Sequence, residues 1–119
     1  MAREPAAFLW DVQFACKAVQ GFLHGVSFER FTGDLLLCSG VERQLQNMGE
    51  ALAQLPRLDP ELVMQVPEHR AVIGFSNVLV HGYATLDQQV VWTAVHRDLP
   101  NLLQAVESAL SKLGPPPTE

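Results

Sequence analysis

Residues 34–55, with the sequence DLLLCSGVERQLQNMGEALAQL, decide the fold of this chain. Asp34 suits the position just before a helix, because its carboxylate can accept hydrogen bonds from the first free backbone N–H groups. The apolar residues behind it recur at alternating spacings of four and three: Val41, Leu45, Met48, Leu52 and Leu55. This spacing marks one face of a long helix and predicts packing in an antiparallel helical bundle.

Polar side chains occupy the remaining surface of this helix. Arg43, Gln46 and Glu50 lie off the apolar seam. Such positions form either a solvent-exposed face or an interface face, and the sequence alone leaves both interpretations open.

A first long helix is predicted to begin at Pro5, a residue that the first turn of a helix tolerates. Gly21 and Gly25 then weaken and end it. Ser27 is a suitable N-cap for a short helical turn over residues 27–32, which joins the two long helices. The apolar stripe of the first helix consists of Phe8, Val12, Cys16, Val19 and Phe22.

Downstream of the second helix, proline residues divide the chain. Asp59 and Pro60 predict a short helical segment that continues over residues 62–66 and ends at Pro67. A third helix is predicted over residues 69–81, because Gly82 provides a left-handed turn after it.

The last helix is predicted to begin after Asp87 and to bend at Pro100, which lacks a backbone N–H, and Asp98 is a candidate cap for its second half. Residues 1–113 are therefore expected to form one all-α domain, a four-helix antiparallel bundle with short accessory helical turns. Residues 114–119 form an extended, proline-rich tail. The apolar stripe of the last helix consists of Val91, Val95, Leu99, Leu102, Val106, Leu110 and Leu113.

The composition is that of a globular protein, with 48% hydrophobic and 18% charged residues in 119. A net charge of −5 disfavours binding of nucleic acid by overall charge alone, although a local basic site stays compatible with it. Cys16 and Cys38 lack metal-ligand spacing. They are expected to be buried free thiols, with a single disulfide between them as the alternative. Residues 1–5 do not resemble a secretion signal, and no apolar run is long enough to cross a membrane, so a cytoplasmic location is expected.

Polar, chemically capable side chains interrupt the apolar pattern only near the end of the third helix. Asn77 and His81 lie one helical turn apart and share a face. Gly82 would end the helix and leave Tyr83 just beyond it. The alternative interpretation is a core helix whose histidine and tyrosine are simply hydrogen-bonded.

Other chemistries find no support in the sequence. There is no phosphate-binding GxxxxGK[ST] loop, no GxGxxG after a strand, and no nucleophile elbow. The four histidines do not pair with carboxylates at helical metal-ligand spacing. We therefore predict neither a metal site nor a cofactor.

The run RAVIGFSNVLVHGY, residues 70–83, resembles the signature of the HepT-like proteins, members of the all-helical HEPN superfamily. That signature is an arginine, four residues, a histidine, one residue and a tyrosine, with a polar residue often following the arginine. Further similarity covers nearly the whole chain. It includes residues 8–11 (FLWD), 43–51 (RQLQNMGEA), Asp87, residues 91–92 (VW) and 98–100 (DLP).

The resemblance implies a bundle that forms a homodimer, in which the motif helices meet at the two-fold axis. It also implies metal-independent cleavage of RNA by the toxin of a toxin–antitoxin pair. The implied partner is a minimal nucleotidyltransferase antitoxin that modifies the toxin with AMP. By this resemblance His81 is the catalytic acid or base, Asn77 its polar companion and Tyr83 the AMP acceptor.

One position departs from the signature, since Ser76 stands where the family has arginine. Cleavage through the RNA 2′-hydroxyl needs a base, an acid and a cation beside the phosphate oxygens. Ser76 cannot supply that cation. Arg70 lies about three turns before His81, roughly 16 Å along one helix, so it could substitute only across a dimer axis.

Three hypotheses about function follow. The first is a HepT-like ribonuclease toxin that is neutralised by its antitoxin. The second is a catalytically weakened binding module that docks to a nucleotidyltransferase or to RNA without cutting. The third is a structural helical protein.

Overall fold

The computed structural model describes residues 4–64 and 87–113, which contain six α-helices and no strand. The predicted all-α class is confirmed. The predicted third helix over residues 69–81, its Gly82 turn and the predicted tail 114–119 lie outside the described residues. The six helices are α1 (Pro5–Leu23), α2 (Phe28–Thr32), α3 (Leu35–Leu58), α4 (Pro60–Val63), α5 (Gln88–Arg97) and α6 (Leu99–Leu113).

Four of the predicted helix caps are present. In each, a side-chain oxygen just before the helix accepts a hydrogen bond from a backbone N–H two or three residues later, which satisfies a donor that the helix cannot. The pairs are Ser27 with Arg30 (3.2 Å), Asp34 with Leu37 (3.0 Å), Asp59 with Leu62 (3.1 Å) and Asp87 with Gln89 (2.9 Å).

Helix α1 ends at Leu23, shortly before Gly25, whose φ of +71° lies in the left-handed region that favours glycine. The predicted apolar stripe was wrong at its last member. Phe22 is 42% exposed, and Leu23 is buried in its place. The reason is rotational, because Leu23 is four residues beyond the buried Val19 and shares its face. Phe22 instead packs over Gly40 of α3.

Helix α3 keeps the seam that the sequence predicted, and all five of its apolar residues are buried. The helix runs three residues further than expected and contains Pro56 in its last turn. Pro56 has no N–H to donate to the carbonyl of Leu52. The backbone N–H of Asp59 still donates to the carbonyl of Leu55 at 2.8 Å, so the helix closes regularly beyond the proline.

The predicted last helix is divided into α5 and α6, with the break at Asp98, two residues before Pro100. Because Pro100 cannot donate to the carbonyl of His96, the break precedes the proline. The guanidinium of Arg97 donates two hydrogen bonds to the Asp98 carboxylate, at 2.9 and 3.2 Å. The residues of the apolar stripe predicted for this last helix are buried, except for Leu113, which is exposed at the end of α6.

Helix α1 packs against both α3 and α6, and this contact forms the main core. At its edge, the Gln13 amide donates to the Glu107 carboxylate at 3.1 Å, and Lys17 lies 3.6 Å from the same group. The buried side chains of largest volume are Phe31, Leu9, Met48, Leu52, Leu55 and Leu102.

Candidate functional site

All five residues that the sequence singled out for chemistry lie outside the described residues. Arg70, Ser76, Asn77, His81 and Tyr83 fall within positions 65–86. Their proposed roles therefore stay predictions. The described residues include the helices that precede and follow that segment in the sequence.

Both ends of the segment join helices that are fixed to the core. Before it, α4 packs on α3 through its buried Leu62, and the exposed Met64 follows. After it, Asp87 caps α5, whose Val91 is fully buried. The described part of the fold thus stops just after α4 and resumes at the capped start of α5.

An aromatic cluster joins α5 to the short helix α2. The Trp92 ring packs edge-on against Phe28 at a centroid distance of 5.6 Å and lies 5.4 Å from Phe31. The His96 ring lies 4.1 Å from Trp92, and His96 Nδ1 is 2.9 Å from the Trp92 carbonyl oxygen. Sequence reasoning missed this cluster, since no periodic pattern connects residues about 60 positions apart. The ring contacts of this cluster pack α5 against α2 and indicate a structural role.

A second feature is the α1/α3 groove, a surface cleft of about 490 Å³ between these two helices. Two carboxylates, three carboxamides and two phenyl rings line it, so its chemistry is mixed. Phe14 is 70% exposed here, which is unusual for a phenylalanine. The lining residues are Phe8, Asp11, Phe14, Ala15, Gln44, Asn47, Glu50, Ala51 and Gln54.

The sequence had already placed Arg43, Gln46 and Glu50 off the apolar seam of α3. In the structure Arg43 and Glu50 are exposed, and neither forms an ion pair with another described residue. The groove itself was not anticipated, because Phe14 and Asp11 of α1 were not connected with this face of α3. The available signal was a second set of α3 positions at the same four–three spacing: Leu36, Gly40, Arg43, Asn47, Glu50 and Gln54.

The two thiols are free and buried, as predicted. Burial, followed by the nearby Glu107 charge, raises the pKa of Cys16 from 9.0 to about 12. Burial also raises the pKa of Cys38, whose Sγ donates to the Phe31 carbonyl at 3.0 Å. Both groups are therefore protonated at neutral pH, and neither is a nucleophile.

Within residues 4–64 and 87–113, no three histidine, cysteine, aspartate or glutamate side chains are grouped so that they could hold a metal ion. None of the described helices has both the length and the apolar character of a membrane span.

Comparison with known proteins gives a consistent result. A relative from Thermococcus cleftensis, named "Probable ribonuclease HepT", is 29% identical over 102 residues, or 86% of this chain and 92% of the relative. A candidate RNase of Methanocaldococcus jannaschii is 28% identical over 105 residues, covering 88% and 95%. A candidate RNase of Caldanaerobacter subterraneus is 27% identical over 110 residues, covering 92% and 97%. No solved structure matches the chain.

Residues 12–109, well over half of the chain, match the protein family described as Ribonuclease HepT-like. That range includes the run of residues 70–83 and extends from α1 to α6. The chain belongs to the HepT-like ribonuclease family.

Proposed function

We propose that this chain is a metal-independent endoribonuclease, the toxin of a type VII-like toxin–antitoxin module, with its site at a homodimer interface. The observation that carries the proposal is the family match, which spans the histidine–tyrosine run. Relatives named "Probable ribonuclease HepT" and as a candidate RNase support it.

The proposed reaction uses the RNA's own 2′-hydroxyl as nucleophile. One His81 side chain takes the 2′ proton, and the oxygen then attacks the adjacent phosphorus. A second proton donor, the partner's His81, protonates the leaving 5′-oxygen. Asn77 shares a helical face with His81 and would hydrogen-bond the phosphate or orient the imidazole. No metal is required in this scheme.

Ser76 leaves the proposed site short of one positive charge. Loss of a single electrostatic contact to the transition state typically costs about 10²–10³ in rate, so slow cleavage is expected. Arg70 of the opposite protomer is the proposed substitute cation. An Arg70→Ala variant should lose most of the remaining cleavage, and full activity in that variant would eliminate this role.

The proposed control of the toxin is transfer of AMP to Tyr83 by a minimal nucleotidyltransferase antitoxin. The phenolic oxygen would attack the α-phosphorus of ATP and release pyrophosphate. Co-expression with a nucleotidyltransferase encoded beside this chain should increase its mass by one AMP. A Tyr83→Phe variant should stay unmodified, and AMP found elsewhere on the chain would contradict the assignment.

The test of the central proposal is an RNA cleavage assay on the purified chain beside His81→Ala, with a metal chelator present. Cleavage by the wild type that is lost in the variant is the expected result. Equal background cleavage by both proteins would refute the ribonuclease proposal.

Ser76 also favours a second candidate function, a binding module that docks to a nucleotidyltransferase or to RNA without cutting. A Ser76→Arg variant decides between the two. If the wild type is silent and this variant cleaves RNA in a His81-dependent manner, the natural chain is the binding module. If the wild type already cleaves, the variant should only accelerate the reaction.

A further inference from the structure

The aromatic cluster between α2 and α5 reaches the protein surface at His96. Phe31 is fully buried, Trp92 is half-buried and His96 is exposed, so burial decreases outward through the cluster. Phe28 and Phe31 pack against Trp92 and attach α5 to α2. His96 lies on the outer side of this packing, on Trp92, and presents its ring to solvent.

The His96 ring is held in one orientation although it is exposed. Its centroid lies 4.1 Å from that of Trp92, with 37° between the two ring planes, so the indole covers one face of the imidazole. Its Nδ1 lies 2.9 Å from the Trp92 carbonyl oxygen. Because a carbonyl oxygen can only accept, Nδ1 donates this hydrogen bond. A side chain that is fixed in this way has already lost rotational freedom that binding would otherwise cost.

A fixed aromatic ring with one accessible face suits a planar, aromatic ligand. Proteins that bind single-stranded RNA stack unpaired bases on phenylalanine, tyrosine, tryptophan or histidine side chains. Stacking uses the faces of the rings rather than ionic charge, which matters for a chain whose net charge is −5. The carboxylate nearest in sequence, that of Asp98, accepts two hydrogen bonds from Arg97, so its negative charge is compensated and repels a nearby phosphate less.

We propose that His96, held on Trp92, is a stacking site for an unpaired base of RNA. The inference rests on the proposed function, in which RNA is the substrate, and it adds a binding contact outside the run of residues 70–83. A base within a duplex is already stacked and paired, so this site should prefer single-stranded RNA.

The test is the affinity for fluorescein-labelled oligoadenylate of about ten nucleotides, measured by fluorescence anisotropy in the His81→Ala background, where cleavage is not expected. His96→Gln keeps a polar side chain but removes the ring. It should raise the Kd about five- to 100-fold, the effect typical of losing one stacked base. His96→Phe keeps a ring at this position and should bind nearly as tightly as the parent.

Two further probes separate stacking from attraction to phosphate. A strand of the same length that lacks bases has the same backbone charge, and a blunt RNA duplex hides its bases. Each should bind more weakly than oligoadenylate and equally well to the parent and to His96→Gln. His24→Gln makes the same change at an exposed histidine that stacks on no other described ring, and it should leave the oligoadenylate Kd unchanged.

Tryptophan emission provides a second measurement that leaves His96 in place. Trp10→Phe makes Trp92 the only tryptophan of the chain, and oligoadenylate should then quench its emission, while the strand without bases should not. Unchanged emission would overturn the inference. So would an unchanged Kd in a His96→Gln variant that is folded by circular dichroism, a His96→Phe variant as weak as His96→Gln, or no binding of oligoadenylate by the parent.

Cleavage by chains that retain His81 separates this inference from the proposed function. His96→Gln should lower kcat/KM mainly by raising KM, because the stacked base contributes to binding rather than to the chemical step. Binding that depends on His96 in a chain that does not cleave RNA would refute only the ribonuclease proposal. Cleavage with an unchanged KM in His96→Gln would refute only the stacking site.

Discussion

At the scale of single residues, the buried Cys16 thiol makes stability depend on pH in the alkaline range. Its pKa is about 12 in the folded chain and 9.0 ordinarily. Above pH 9 the unfolded chain releases this proton and the folded chain retains it. The contribution of the Cys16 thiol to the free energy of unfolding is therefore complete below pH 9. Between pH 9 and pH 12 the free energy of unfolding falls by at most about 1.4 kcal/mol per pH unit.

Cys16→Ala should therefore show a shallower alkaline loss of stability than the wild type. Urea unfolding at several values between pH 8 and about 10.5 measures the two slopes. Val12→Ala truncates a neighbouring buried residue of α1 that does not ionise, and it should keep the slope of the wild type. Equal slopes for wild type and Cys16→Ala would contradict the raised pKa.

Single residues were also the scale at which the sequence was most informative about local structure. Caps such as Asp34 and Asp59 could be predicted because a cap depends on its own residue and the next three. Phe22 could not be placed correctly, since a rotation of one position decides whether α1 buries Phe22 or Leu23. Neither capping nor apolar spacing gives Ser76 any significance. Only the resemblance to a family signature shows that an arginine is expected at that position.

At the scale of elements, α3 should depend measurably on its cap. Asp34→Ala removes the acceptor for the Leu37 N–H and should lower the free energy of unfolding by about 1 kcal/mol. Asp34→Asn can still accept this hydrogen bond and should cost much less. Urea denaturation followed by far-UV circular dichroism compares the two, and an equal loss in both would show that charge rather than capping is responsible.

Attachment of α5 to α2 should depend on Trp92. Trp92→Ala removes the ring contacts with Phe28 and Phe31 and should destabilise the fold by about 2–3 kcal/mol. Trp92→Phe keeps an aromatic ring and should lose less than half of that. Denaturation midpoints at one protein concentration provide the measurement. A change below about 0.5 kcal/mol in Trp92→Ala would mean that the cluster contributes little.

Element boundaries followed from the sequence wherever a local signal existed. Capping and apolar spacing located α3, while its C-terminal end was underestimated because Pro56 is tolerated in the last turn. Pro100 predicted a bend with a new start at Asp98, and the structure divides the helix at that residue. The α1/α3 groove depends on the pairing of two distant helices, so local patterns could not reveal it. The predicted motif helix over residues 69–81 stays a prediction.

At the scale of the whole molecule, stability should be concentrated in the seam between α3 and its neighbours. Leu52 is fully buried, and Leu52→Ala should cost about 2–5 kcal/mol. Leu35, on the same helix, is 82% exposed, and Leu35→Ala should change stability by less than about 0.5 kcal/mol. Both are measured by urea unfolding at one protein concentration, because self-association would add to apparent stability. Similar losses in both would contradict the assigned orientation of α3.

Contact between α1 and α6 also has a consequence for how this protein is made. The Glu107 carboxylate of α6 accepts a hydrogen bond from Gln13 and pairs with Lys17, residues of α1 that lie 94 and 90 positions earlier in the sequence. The two helices also share one core. Helix α1 therefore completes its packing only after α6, which follows it by more than 70 residues, has been synthesised. Nascent chains that stop at Arg97 should expose the part of the α1 apolar face that α6 covers and be degraded, so the fold is acquired only after α6 has left the ribosome.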